Sequence, residues 1–353
     1  MDAAQIERIG RYRPLLVDAA NRLWVARGYT LFCSQDKGDT FHKIAAYDAG
    51  PVQKLATAFF LSSRLLRAGF HGLRVLPSGD IVAVVKGGIL RLRKGHDRFD
   101  LVHRFERGSR PLNICATPAG DIFYGEYWGN PDRDEVRIMG SCDGGLSWKA
   151  VYTFPRGAIR HVHGIHNDPH RGGLWILTGD GDNESRIIFT DSKLDHLEVV
   201  ATGNQRCRAV TVMPMPSGVI VPTDTEHEQN YIQWLDTDTG KLERITDLPG
   251  TVFYATRTRD RLLLSTVVEP SEVNLSQEAT LWSSDDGQNW QQIHAQHKDP
   301  WSPVYFQYGT YVLPSVEGDC GYAFAGGQAV ARDDQMLLRI GFGNGGRRDI
   351  SRT

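Results

Sequence analysis

The feature that most constrains this chain is a repeated eight-residue turn pattern, S-x-D-x-G-x-x-W/F. Three copies occupy residues 34–41, 141–148 and 283–290. In such a turn the Ser and Asp side chains bond backbone groups, Gly supplies a positive φ, and the aromatic side chain anchors the next strand in the core. The pattern therefore predicts a β-hairpin, and its recurrence predicts a repeat architecture.

Degenerate copies fill the gaps between these turns, with a step of about 45 to 60 residues. Each unit also contains an alternating strand, a turn and a second apolar strand, as in LRVLPSGDIVAVV at residues 73–85. The sequence therefore predicts an all-β fold, a single β-propeller of seven blades, with six blades as the alternative. The expected blades are residues 12–50, 70–107, 110–155, 160–203, 206–249, 251–297 and 303–341, followed by a tail at 342–353.

One segment departs from the β pattern. Residues 52–69, VQKLATAFFLSSRLLRAG, have few turn-forming residues and an apolar spacing that suits a helix. We expect a short helical insertion there, between the first two blades.

Charge and composition exclude some classes of function. A formal net charge of −2 and a pI near 6.6 give no basic field for a polyanion, so neither nucleic acid nor a membrane surface is an expected partner. The five cysteines include no CxxC pair and are expected to be reduced thiols. Because the chain has no apolar leader, it is expected to be cytoplasmic as given, or exported if a leader was removed. The oligomeric state is not constrained.

The repeated turn resembles the Asp-box, or bacterial neuraminidase repeat, of sialidase-like β-propellers. Residues 160–192 are also similar to uncharacterised Asp-box proteins encoded beside bacterial polysaccharide genes. The resemblance implies that the boxes join the third and fourth strands of their blades, on the face opposite the functional loops. Asp36, Asp143 and Asp285 would then be scaffold. True sialidases carry an F/Y-R-I-P motif, and residues 12–15, YRPL, lack its Ile, which disfavours a sialidase.

The richest functional loops belong to the fourth expected blade, with HVHG at 161–164 and GDGDNES at 179–185. In a strand, His161 and His163 point to the same side. Three roles stay open for this pair: a general base, metal ligands together with Asp180 or Asp182, or contacts to a substrate carboxylate.

Glycoside hydrolysis needs two carboxylates across the glycosidic bond, and these loops are rich in acids. We predict a glycoside hydrolase acting on a bacterial or anionic polysaccharide or oligosaccharide. The candidate catalytic residues are Asp180, Asp182, Glu126, Asp224, His161 and His163. The candidate substrate-binding residues are Tyr127, Trp128, Arg160, Glu184, Arg206, Arg208, Glu226, His227, Tyr254, Arg257, Tyr308 and His71. No metal ligand is assigned and no cofactor is expected, with a structural or catalytic divalent cation as the alternative; the expected partner is a glycan.

Two alternatives stay open. The chain also resembles propeller polysaccharide lyases, which use a His or Tyr base while Arg or a cation neutralises the uronate. The residues that would suit this chemistry are His161, His163, Tyr127, Tyr254, Arg206 and Arg257. It resembles, finally, Asp-box propellers without catalysis, in which the same face is a platform for binding or assembly.

Overall fold

The computed structural model describes residues 4–342, so the expected tail at 342–353 lies outside the described residues except for Phe342. Strands dominate the chain. In chain order they are β1 (Gln5–Gly10), β2 (Arg13–Val17), β3 (Leu23–Arg27), β4 (Thr30–Ser34), β5 (His42–Ala46), β6 (Phe70–Val75), β7 (Ile81–Val85), β8 (Gly88–Leu92), β9 (Asp100–Arg104), β10 (Cys115–Ala116), β11 (Ile122–Gly125), β12 (Val136–Ser141), β13 (Lys149–Phe154), β14 (His161–Asp168), β15 (Gly173–Gly179), β16 (Arg186–Asp191), β17 (Leu197–Thr202), β18 (Met213–Met215), β19 (Gly218–Pro222), β20 (Asn230–Leu235), β21 (Leu242–Leu248), β22 (Val252–Arg257), β23 (Leu262–Thr266), β24 (Glu278–Ser284), β25 (Gln291–His297), β26 (Thr310–Val312), β27 (Ser315–Val316), β28 (Ala323–Gln328) and β29 (Leu337–Gly341).

These strands form seven sheets within residues 4–342, six of four strands and one of five. Five of the sheets are simple meanders of four consecutive strands, from β6–β9 to β22–β25. The second strands of these meanders read as short apolar runs because they are buried on both faces: Leu174, Trp175, Ile176 and Leu177 are all fully buried. The fold is therefore an all-β, seven-bladed β-propeller, as predicted, and the six-bladed alternative is excluded.

The chain divides into two compact units, which are described separately. The central unit spans His71–Leu248 and holds four of the sheets; the terminal unit combines the described parts of Met1–Phe70 and Pro249–Thr353 and holds three. In the terminal unit β1 pairs with β29, with Gln5 opposite Gly341. The strand β1 precedes every expected blade, yet it completes the last sheet, in the order β1-β29-β28-β26.

The helical insertion consists of two short helices, α1 (Pro51–Ala56) and α2 (Phe60–Leu65). Pro51 suits the first turn of α1, where its missing N–H would have no helical partner. A third helix, α3 (Pro303–Phe306), lies against α2, since Arg64 donates hydrogen bonds to the Phe306 carbonyl and forms an ion pair with Asp299. Within the described residues, every helix is too short or too polar to cross a lipid bilayer.

The repeated turns are held by their own side chains. Ser141 Oγ donates to Asp143 and accepts from the Gly145 amide, and the turn at Ser34 has the same bonds. The turn near residue 285 differs from the expected register. There Ser284 and Asp286 make these bonds, in place of Ser283 and Asp285, so the turn is one residue shorter.

The third sheet shows where such a turn lies relative to the loops that carry candidate residues. In the ladder between β11 and β12, Ile122 faces Ser141 and Gly125 faces Ile138. The turn that follows Ser141 is therefore at one end of the sheet, and Glu126, which follows Gly125, is at the other. Within this blade the conspicuous aspartate of the turn is separated from the candidate site.

Candidate functional site

Two histidines and an aspartate meet at one end of the fourth sheet. His161 is the first residue of β14 and pairs with Gly179, the last residue of β15, after which Asp180 follows directly. His163 lies at a β-bulge, because the pairing shifts between Val162 and Gly164. Bulges re-aim a side chain relative to a regular strand, and here the bulge brings His163 beside His161.

The polar atoms of the three side chains converge. The Nε2 atoms of His161 and His163 are 3.0 Å apart, and Asp180 Oδ1 lies 3.3 Å from the first and 3.0 Å from the second. Both rings are buried, with 4% and 2% of their surface exposed. Among residues 4–342, this is the group of three whose geometry would hold a metal ion. The prediction of a His pair with Asp180 thus corresponds to a real cluster.

The other ring nitrogens identify the tautomers. His161 Nδ1 lies 2.8 Å from the Trp128 carbonyl oxygen, and His163 Nδ1 lies 3.1 Å from the Ala209 carbonyl oxygen. A carbonyl only accepts hydrogen bonds, so each Nδ1 carries a proton. In a neutral ring the lone pair is then on Nε2, and it faces the cluster.

Burial and neighbouring charges set the charge states of His163 and Asp180. Burial lowers the pKa of the His163 imidazole, although Asp180 opposes the shift, and the ring is neutral at pH 7. Burial disfavours the ionised form of the Asp180 carboxyl, whereas Arg160 Nη1 at 2.9 Å and Arg208 Nη2 at 3.4 Å favour it. With two guanidinium groups beside it, Asp180 is an anion.

Gly179 is required by the packing. A Cβ atom at this position would lie 2.4 Å from Cε1 of His163, far inside van der Waals contact. The ring of His163 thus rests directly on the backbone before Asp180. Any larger residue would displace the ring or the carboxylate.

Two arginines flank the carboxylate. Arg160 Nη1 lies 2.9 Å from Asp180 Oδ2, while Arg208 Nη2 lies 3.4 Å from Asp180 Oδ1. Arg208 follows a single 3₁₀ turn, Gln205–Cys207, that the Asn204 side chain caps by accepting from the Arg206 amide. Its Nε lies 3.8 Å from Oδ2 of Asp224, and that carboxylate is also buried. The cluster is thus embedded in positive charge on two sides.

Further candidates line the same region. The Tyr127 ring lies 4.3 Å from the His161 ring, centroid to centroid, and Tyr127 is half-buried. Trp128 contributes the carbonyl described above, and the Arg107 guanidinium stacks on its indole. Glu226 Oε1 lies 3.9 Å from Arg208 Nη1, and the exposed His227 lies beyond it, 3.8 Å from Glu226.

Several predicted residues have other partners. The Glu126 carboxylate is buried and accepts hydrogen bonds from the Arg137 side chain and backbone amide. Glu184 pairs with Arg133. The exposed Asp182 accepts a hydrogen bond of 2.7 Å from Gln205.

Arg206 is turned away from the cluster. It donates to the Gln233 side chain and to the Leu242 carbonyl oxygen, which belong to strands β20 and β21. His71 lies in β6, in a different sheet of the central unit. The remaining candidates, Tyr254, Arg257 and Tyr308, belong to the terminal unit.

Gln205 is a residue that sequence reasoning missed. Its side-chain amide donates to the Asp180 backbone oxygen and to Asp182, while its Oε1 accepts from Thr225. It therefore fixes the loop that carries Asp180. The sequence feature that could have indicated Gln205 is its position directly before Arg206, at the start of the fifth expected blade.

Comparisons with known proteins support the fold. No protein family matches the sequence, and no curated protein is significantly similar to it. Among solved structures, YCF48 bound to D1 peptide has a TM-score of 0.56 at 15% identity, covering 99% of this chain and 98% of that one. An oligogalacturonate lyase in complex with manganese has a TM-score of 0.58 at 9% identity, covering 97% and 94%. YCF48 from Cyanidioschyzon merolae has a TM-score of 0.57 at 13% identity, covering 95% and 98%. At these identities the similarity is one of fold.

Proposed function

We propose that this chain is a carbohydrate-active enzyme that cleaves an anionic glycan by β-elimination, with its catalytic centre at His161, His163 and Asp180. One observation carries the proposal. A buried imidazole nitrogen with a free lone pair lies within 3.3 Å of a carboxylate that two arginines flank. Removal of a proton next to a substrate carboxylate needs a base and a cation this close together.

Elimination fits the residues better than hydrolysis does. A hydrolase needs one carboxylic acid that is protonated at working pH, which requires a raised pKa. Asp180 lies beside Arg160 and Arg208, which favour its ionised form. Glu126 is held by Arg137, and Asp224 lies beside Arg208, so each of these carboxylates already has an arginine partner. The pair of carboxylates first predicted is therefore the weaker hypothesis.

The proposed step starts with the uronate carboxylate bound by Arg160 and Arg208, which makes the C5 proton more acidic. A base removes that proton, the C5–H electron pair forms a C4–C5 double bond, and the C4–O bond breaks. The leaving glycosidic oxygen takes a proton and becomes the hydroxyl of the shortened chain. The products are an unsaturated uronate and a new chain end.

We consider two candidates for the base: Nε2 of His161 and the hydroxyl of Tyr127, whose ring packs on His161. The variants His161→Gln and Tyr127→Phe distinguish them. The variant that removes the base is expected to lose about 100-fold or more in kcat, since general base catalysis contributes 10²–10⁴-fold. His166→Gln is the matched control, because His166 bonds to the Val210 carbonyl oxygen instead.

The turns and the fold add support for a carbohydrate-active class. The bonds of Ser34 and Ser141 have the pattern expected of Asp-boxes, which supports the proposal that the chain is an Asp-box propeller. The fold that this chain shares with the oligogalacturonate lyase named above also supports the proposal.

The test is a cleavage assay with the purified chain on polygalacturonate, alginate and oligomers from each. β-Elimination creates a conjugated uronate that absorbs in the ultraviolet, whereas hydrolysis creates reducing ends without that absorbance. We expect the absorbing product from at least one of these polymers. Reducing ends without absorbance would establish hydrolysis and contradict the proposal, as would product formation that is unchanged in both base variants.

A second candidate function, a docking platform for another protein, is favoured by a different observation. Large apolar side chains are exposed on α1, α2 and the segment of α3, and all belong to the terminal unit. They are Val52, Leu55, Phe59, Phe60, Leu65, Trp301, Val304 and Tyr305. Exposed apolar groups of this kind mark interaction surfaces. A partner that binds the wild-type chain saturably and is lost in Phe59→Ser with Tyr305→Ser, without turnover of any uronate, would favour this function.

A further inference from the structure

Three atoms with lone pairs face one another in the cluster described above. Because both Nδ1 atoms donate to carbonyl oxygens, each ring in this tautomer directs the Nε2 lone pair at the cluster, and Asp180 Oδ1 is an acceptor as well. Acceptors 3.0 to 3.3 Å apart repel unless a positive species lies between them. The cluster therefore needs a cation or a proton.

A single proton satisfies this geometry incompletely. A proton on Nε2 of His161 points along one line, either toward His163 Nε2 or toward Asp180 Oδ1. In both cases His163 Nε2 and Asp180 Oδ1 remain two acceptors 3.0 Å apart. A cation at the centre interacts with all three lone pairs at once. From this arrangement we infer that His161, His163 and Asp180 bind a divalent transition-metal ion.

The separations suit coordination. Ligands at about 2.05 Å from a tetrahedral metal are about 3.3 Å apart, and adjacent ligands of an octahedral metal are about 2.9 Å apart. The observed separations, 3.0, 3.0 and 3.3 Å, fall within this range. The three atoms thus already have the spacing that a bound ion requires.

The surroundings orient the ligands. A metal-binding histidine usually donates its other ring proton to a carbonyl or a carboxylate, which fixes the tautomer and the ring plane. The Trp128 and Ala209 carbonyl oxygens are in this position. Arg160 holds Oδ2 of Asp180, which leaves Oδ1 directed at the rings, and Gly179 lets His163 approach.

The ligand types indicate the kind of ion. Two imidazoles and one carboxylate suit Zn²⁺, Mn²⁺ or Fe²⁺, whereas Mg²⁺ and Ca²⁺ prefer oxygen ligands alone. Three protein ligands also leave a coordination position for an oxygen from solvent or substrate, as in catalytic sites. Arg208 Nη2, 3.4 Å from Asp180 Oδ1, adds a second cation and favours an anionic group in that position.

The metal site stands whether or not the substrate is a uronate, but it deepens the proposed function. A metal ion there would supply positive charge beside the sugar carboxylate. It would also occupy the lone pair of His161, leaving the Tyr127 hydroxyl as the base. The two base variants above would then differ in kind: Tyr127→Phe loses turnover with metal retained, whereas His161→Gln loses both.

The test measures metal binding without any glycan, so its failure is distinct from a failure of the cleavage assay. The full chain is stripped with a chelator and titrated with Zn²⁺ and with Mn²⁺ by calorimetry, with Ca²⁺ as the comparison ion. We expect one Zn²⁺ or Mn²⁺ per chain and about 100-fold or greater loss of affinity in His161→Gln and His163→Gln. His166→Gln, on the same strand, is expected to bind as the wild type does.

A second measurement uses the wild-type chain alone, so it remains informative if a variant of the metal ligands does not fold. Co²⁺ added to the wild-type chain is expected to give visible ligand-field absorption that one equivalent of Zn²⁺ removes. The inference is overturned if the wild-type chain binds neither Zn²⁺ nor Mn²⁺ more tightly than Ca²⁺. It is also overturned if folded His161→Gln and His163→Gln bind as tightly as His166→Gln does, since the cluster would then be closed by a proton.

Discussion

Two aspartates in this chain, the buried Asp333 and the half-buried Asp180, have similar neighbours but differ in what those neighbours offer them. In the terminal unit, Asp333 Oδ1 accepts a hydrogen bond of 2.7 Å from Arg8, and its Oδ2 accepts bonds of 2.8 Å each from His294 Nε2 and the Tyr311 hydroxyl. Each neighbour is a donor. In the central unit, Asp180 also has histidines and arginines around it, but two of its neighbours present lone pairs.

The difference comes from the second nitrogen of each ring, a detail that residue types do not reveal. His294 directs a donating Nε2 at Asp333, so that carboxylate is fully satisfied by the protein. His161 and His163 have already donated their Nδ1 protons to carbonyl oxygens. The network around Asp333 is complete, and a complete network of this kind contributes to stability. The cluster at Asp180 has inward-facing lone pairs that, under the metal-site proposal, bind a cation.

The largest expected effect on stability is that of Asp333→Asn. Arg8, His294 and Tyr311 would lose their common anion. Because Arg8 is half exposed, the larger loss comes from the hydrogen bonds of His294 and Tyr311 to the buried charge, at about 1.5–3 kcal/mol each. The measurement is urea-induced unfolding of wild type and variant. Asp319→Asn is the control, because the Asp319–Arg259 pair is exposed and should change stability by less than about 1 kcal/mol.

Asp180→Asn should affect turnover and metal binding more than it affects stability. We expect turnover to fall about 100-fold, which corresponds to about 2.7 kcal/mol of transition-state stabilisation, and metal affinity to fall with it. The free energy of unfolding should fall by less than for Asp333→Asn. Equal losses of stability in the two variants would show that Asp180 is as structural as Asp333.

Acid should weaken the terminal unit through Asp333. Burial would raise the pKa of this carboxyl, but His294, Tyr311 and Arg8 together lower it to about 2. Because the folded pKa lies below the unfolded value of about 3.9, the stabilisation is complete above pH 4 and is lost as pH falls toward 2. The loss should be about 2 kcal/mol, measured as the pH dependence of urea unfolding. The curve of Asp333→Asn should be flatter across this window.

The smallest expected effect concerns the backbone at Gly179, on which the His163 ring rests. In Gly179→Ala the new methyl group would meet the His163 ring, so we expect about 1 kcal/mol of destabilisation and about a 10-fold loss of turnover. Gly203→Ala is a useful reference, since nothing lies within 4 Å of a Cβ there, although its φ of 97° adds backbone strain. A Gly179→Ala variant with turnover intact would mean that the ring position is not critical.

The fold was predictable because its signal is local. Each Ser-Asp turn specifies a hairpin within eight residues, and their spacing gives the number of blades. The same signal left the frame of the third turn ambiguous, since the run Ser283-Ser284-Asp285-Asp286 offers two registers and only packing chooses between them. The pairing of β1 with β29 has no local signal at all.

The site was predictable in part. His161 and His163 are adjacent in a strand pattern, and Asp180 follows the next strand, so their proximity could be inferred. The partners of Glu126 could not, because Arg137 reaches it only through the pairing of β11 with β12. Tautomers depend on carbonyl oxygens from Trp128 and Ala209, which no residue pattern encodes.

The pairing of β1 with β29 also bears on how the chain folds during synthesis. Residues 5–10 are synthesised well before their partner strand, which ends at Gly341. Until then β1 is a strand with unpaired amides and carbonyls, open to association with other chains. Closing so long a loop makes this contact slow to form. We expect the last sheet to be the final one to reach its native state, and a chaperone that shields early strands to raise the yield of folded chain.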